Sequence, residues 1–152
     1  MYTGLLHTHS LVRWIMLILL ILTVLRSYNG WKSKRTFTPS DKKLVLFTLI
    51  FSHVQLLIGF LLYMVSPTVK SAMNDMGAAM KDKMLRFYAV EHIIIMIIAI
   101  LLITIGNAMA KRTTNDSDRF KKIFIYFFIG LLLILVSIPW PFQMVGAGRG
   151  WF

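Results

Sequence analysis

Four stretches of this 152-residue chain are apolar at nearly every position: residues 5–26, 44–65, 87–110 and 123–139. None shows the polar stripe of a helix half exposed to water. Each is close to the ~20 residues that cross a bilayer at about 1.5 Å per residue. In lipid an open segment satisfies its backbone polar groups only as a helix. The pattern therefore predicts an all-α integral membrane fold, a four-transmembrane-helix up-down bundle in a single membrane domain over 1–152. Short polar linkers favour antiparallel neighbours. Pro67 closes the second span and "PWP" (139–141) the fourth, and the glycine-rich "GAGRGWF" (146–152) reads as a tail on the outer surface.

The connection 66–86 carries Met73, Met76, Met80 and Met84 at i, i+3, i+7 and i+11. That spacing puts them on one helix face, and Lys81 and Lys83 flank it, as in a helix lying on the membrane surface. Methionine can bind Cu(I) or haem iron, but an apolar face resting on the bundle or the bilayer is the simpler reading.

Charge sets an orientation. Eleven basic residues lie in the linkers 27–43 and 111–122 or at their edges: Arg26, Lys32, Lys34, Arg35, Lys42, Lys43, Lys111, Arg112, Arg119, Lys121 and Lys122. The other side has six: Arg13, Lys70, Lys81, Lys83, Arg86 and Arg149. The positive-inside rule then puts both termini outside and the eleven-charge side in the cytoplasm. Tyr2, Trp14, Tyr63, Tyr88 and Trp140 fit the outer interface, and Tyr28 and Trp31 the inner one. The net charge of +11 thus reads as topology and attraction to the lipid bilayer, with no nucleic acid partner. No basic residue precedes the first span and no small-residue cleavage site follows it, so it is expected to be a retained anchor.

Composition narrows the chemistry. With no cysteine there is no disulfide, thiolate cluster or C-x-x-C-H haem attachment. No H-E-x-x-H, P-loop, nucleophile elbow or carboxylate pair is present, which favours an electron carrier over a stand-alone enzyme.

The candidate chemistry lies in four histidines, His7, His9, His53 and His92, with Arg13 and with Glu91, the only acidic residue inside a span. An ionisable group in a span is costly unless paired or facing an internal cavity. Counting from the span centres puts His9 roughly 15 Å and His92 roughly 10 Å outward, one level within the error of the boundaries. Two imidazoles from facing helices at one height suit haem b. Arg13, one turn below His9, can meet a propionate or pair with Glu91, and Lys83 and Arg86 can also meet propionates. His53 sits near mid-membrane beside a stripe of Thr48, Ser52, Gln55 and Gly59. It reads as an alternative axial ligand, a quinone or proton group, or a packing histidine, and the stripe itself as helix packing.

At these residues the chain resembles a family of small bacterial four-span membrane proteins labelled "cytochrome B". The likeness lies in "HTHSLVRW", "FSHVQLLIGFLLY" with the following "SP", "RFYAVEH", "LLITIG", and "IPWPF" with terminal "GWF", and covers nearly the whole chain. It implies haem b held by histidines, with Arg13 and Glu91 nearby, and leaves the ligand pair open.

Three functions stay in play. The first is a membrane b-type cytochrome passing electrons between a quinone and a partner protein. The second is a zinc-, copper- or iron-binding membrane protein using His7, His9, His53, His92 and Glu91. The third is a non-catalytic accessory subunit. In each case a homo-oligomer or a larger membrane complex is expected.

Overall fold

The structure is a computed structural model, and it describes residues 2–146. Among these there are helices and no strand. Four helical stretches are long and apolar enough to cross a bilayer: Tyr2–Lys32, Pro39–Val65, Lys83–Lys111 and Asp116–Ser137. We number the elements α1 (Tyr2–Lys32), α2 (Pro39–Val65), α3 (Pro67–Asn74), α4 (Met76–Ala79), α5 (Lys83–Arg86), α6 (His92–Lys111) and α7 (Asp116–Ser137). A π-helical turn, Phe87–Glu91, joins α5 to α6, and a 3₁₀ turn, Met144–Gly146, follows α7. Residues 147–152, most of the expected surface tail, lie outside the described residues.

Local chemistry sets the helix ends. Thr38 and Asp41 form a capping box at the start of α2, with Pro39 in the first turn. Ser66 ends α2 and caps α3, whose first residue is Pro67. Asn115 caps α7, with Asp116 and Asp118 in its first turn, where carboxylates complement the helix dipole. At the other end of α7, Ile138 is extended because a proline follows it.

The connection 66–86 is three short helices, not the single interfacial one its methionine spacing suggests. Asp75 accepts a hydrogen bond from Ala78 N at 2.9 Å, and Asp82 from Leu85 N at 2.8 Å. Each aspartate opens a new helix and breaks the old one. All four methionines are nonetheless exposed.

Around the bundle the order is α2, α1, α7, α6. The α6–α7, α1–α2 and α1–α7 seams are extensive, whereas α2 meets α6 only lightly. The helices alternate in direction, since Tyr2, Ser66, Tyr88 and Pro139 surround one cavity at one end. The core holds Met16, Leu20, Ile103, Ile123, Phe127 and Ile134. Leu25, Leu57, Leu101 and Val136 face outward, as a lipid-facing surface requires.

Between helices that lipid does not drive together, small and hydroxyl side chains set the approach. A methyl on Gly106 would lie 2.4 Å from Tyr126 Cβ, and one on Gly130 2.9 Å from Ile103. Thr23 and Thr48 hydroxyls meet at 2.7 Å across α1 and α2. Ser52, of the same stripe, is also buried, so the packing reading describes that position.

At the basic end, the buried Asp41 carboxylate accepts from Arg26 Nε at 2.6 Å and from both Nη groups of Arg35 at 2.7 Å. Its bond to Asp41 raises the Arg35 pKa above the ordinary value, so that cation stays charged.

Candidate functional site

The gap left by the light α2–α6 contact is a cavity of about 380 Å³ near the end that carries the N-terminus. His9, Ser10 and Arg13 of α1, Gln55 and Gly59 of α2, and His92 of α6 all line it. The remaining wall is mostly apolar, with Met16, Phe60, Met96, Ile97 and Ile134 among its residues. Two imidazoles from helices on opposite corners of the bundle thus open on one apolar chamber.

Each imidazole is oriented by a residue far away in sequence. His92 Nδ1 lies 2.8 Å from the carbonyl oxygen of Ser137 and 3.2 Å from its hydroxyl. A carbonyl only accepts, so Nδ1 carries the proton and Nε2 keeps a lone pair. A second partner of this kind fixes the tautomer and ring plane of a metal-binding histidine.

The side-chain nitrogen of Gln55 lies 3.0 Å from the His9 carbonyl and 3.1 Å from His9 Nε2. Turning the amide over would set two oxygens against each other, so nitrogen belongs there. The amide donates to both atoms, and the His9 proton sits on Nδ1. That Nδ1 and the Gln55 Oε1 are both buried with no hydrogen-bond partner among the described residues. Leaving such a group unmatched costs about 1–3 kcal/mol. Opposite the ring is Gly59, where an added Cβ would come within 3.1 Å of His9 Cε1. Both unmatched atoms belong to residues that line the chamber.

The chamber's rim is built on the π-helical turn. His92 N–H bonds back to Phe87 O, five residues earlier. In this wide turn Ala89 O accepts from Tyr63 O–H at 2.8 Å, tying α2 to the start of the third span. Such turns often occur at functional sites. Tyr88 O–H donates to Val145 O at 2.8 Å and so anchors the 3₁₀ turn after α7.

The other candidates lie elsewhere. His7 is exposed, because α1 is already helical there and two residues turn the side chain by about 200°. His53 is not on the cavity. Its Nδ1 donates to Leu49 O at 2.8 Å and its Nε2 lies 3.3 Å from Thr104 Oγ1 on α6, a bridge between helices. Glu91 accepts from Arg86 Nε at 2.6 Å, and Arg86 also donates to Met80 O at 3.0 Å. Glu91 therefore faces Arg86 rather than the Arg13 side of the bundle, and neither Arg86 nor Glu91 lines the cavity.

The metal set proposed from sequence is not assembled: among the described residues no three of His, Cys, Asp and Glu converge as a metal ion requires. Two residues missed as site groups, Gln55 and Ser137, act on the histidines directly. The polar stripe flagged Gln55, but as packing, and no local signal marks a backbone carbonyl such as that of Ser137.

Comparisons with known protein families, with curated proteins and with solved structures give no match to this chain.

Proposed function

We propose that this chain is a b-type cytochrome of a bacterial inner membrane, with both termini on the outer side, carrying electrons between a quinone and a partner protein in an oligomer or larger complex. The observation that carries the reading is the pair His9 and His92, from opposite corners of the bundle, lining one apolar chamber.

The donor set fits haem b. His92 offers the Nε2 lone pair, and the Ser137 carbonyl makes that nitrogen more basic. His9 packs against Gly59, and with its proton on Nδ1 it offers the Nε2 lone pair. For its Nε2 to reach iron, the Gln55 amide must turn away from its 3.1 Å contact. Arg13, on the same wall, supplies a cation for a propionate. Haem bound there supplies a reversible one-electron couple. The apolar walls exclude water from it, and the His92 imidazole plane is set by Ser137.

A second reading rests on the proton positions. His9 Nδ1–H is a donor and His92 Nε2 an acceptor, on one chamber beside the loose α2–α6 seam. A quinone matches that pair with its carbonyl and hydroxyl forms. Pigment analysis separates the two. Protein purified from haem-replete cells should yield one protohaem per chain as its pyridine complex, lost in His92→Ala and His9→Ala and kept in His53→Ala. Folded protein that yields extractable quinone and no haem would replace the first reading by the second.

A further inference from the structure

At the opposite, basic end of the bundle an open groove of about 840 Å³ runs between α1 and α2. Its floor is Leu22, Leu25 and Leu44, and its rim holds Arg26, Arg35 and Ser40. Leu22 and Leu25 are 49% and 60% exposed, too apolar for a surface meant for water. They continue the lipid-facing side of α1. The groove therefore joins an acyl-chain surface to a charged rim.

The rim charge does not cancel. Two guanidinium groups share the one Asp41 carboxylate, which leaves one positive charge in excess. Arg26 bonds that carboxylate through Nε, and among the described residues its Nη groups have no protein partner. The Arg26 side chain is 45% exposed. The exposed Ser40 lies in the first turn of α2, where the helix dipole favours an anion. Lys42 and Lys43, also exposed, follow directly.

We infer that this groove binds an anionic phospholipid, its phosphate against Arg26 and Ser40 and one acyl chain along Leu22, Leu25 and Leu44. A singly charged phosphodiester matches the one excess positive charge. Guanidinium donors suit phosphate oxygens, and the leucine floor suits an acyl chain and nothing soluble. The site is independent of what fills the histidine chamber.

The absence of cysteine makes a single label unambiguous. Leu25→Cys and, as a control on the lipid-facing side of α6, Ile105→Cys carry bimane in phosphatidylcholine vesicles with rising brominated phosphatidylglycerol. Quenching at position 25 should reach half its maximum at about fivefold lower phosphatidylglycerol fraction than at 105, the effect of one basic residue near a bilayer. Arg26→Gln should remove that difference and Arg26→Lys keep part of it. Millimolar inorganic phosphate should not change it. Equal half-points at the two positions in otherwise unaltered protein would overturn the inference, whether or not the arginine variants fold. Displacement by free phosphate would overturn it too, by making the groove a site for soluble anions.

Discussion

His92 Nδ1 lies 2.8 Å from the Ser137 carbonyl oxygen, 45 residues away in sequence, and this bond decides which His92 nitrogen can meet a guest. Replacing His92 with alanine should remove the pigment entirely. Ser137→Ala deletes only the 3.2 Å hydroxyl contact and keeps the carbonyl. It should weaken haem retention by no more than about tenfold, the lower end for outer partners of a metal ligand. Haem transfer to an acceptor globin measures both.

Gly59 leaves His9 its place. The Cβ of Gly59→Ala would lie 3.1 Å from His9 Cε1 and 3.7 Å from Nδ1. The ring must give way by a few tenths of an ångström. Haem affinity should fall about fivefold, the low end of an overpacking cost, with helix content unchanged. A spectrophotometric haem titration beside circular dichroism reads the two quantities separately.

Thr23 and Thr48 join α1 to α2 with hydroxyls 2.7 Å apart, both threonines buried. Thr48→Val should destabilise the bundle by about 1 kcal/mol, the usual range for a hydroxyl bond between membrane helices. A double-mutant cycle with Thr23→Val, followed by unfolding in mixed micelles, should give a coupling of that same size.

Gly106 sets how closely α6 approaches α7. A methyl there would sit 2.4 Å from Tyr126 Cβ and 3.0 Å from its Cγ. Gly106→Ala should cost about 1–3 kcal/mol in the same assay. Adding Tyr126→Ala should not restore stability, because the colliding atom is the Cβ that alanine keeps.

The four membrane helices are legible in the sequence because lipid demands long apolar runs. Their ends are less so. Span one reads as 5–26, yet α1 runs Tyr2–Lys32, since its last turn is polar and carries no hydropathy signal. The methionine periodicity over 66–86 misleads because Asp75 and Asp82 cap new helices within it. Counting residues brings His9 and His92 to one height, and they do share a chamber. Their orientation is a different matter. It rests on Gln55 and Ser137, contacts over 46 and 45 residues that no local pattern encodes. Glu91 is misplaced by the same logic: the π-helical turn beside it lets Arg86, five residues earlier, reach it at 2.6 Å.

An optical spectrum of the purified protein, oxidised and then dithionite-reduced, tests the haem proposal most directly. A Soret band that shifts and sharp α and β bands that appear on reduction, all absent in His92→Ala, are the predicted result. A folded, colourless protein from haem-replete cells, with spectra identical in both states, would contradict it.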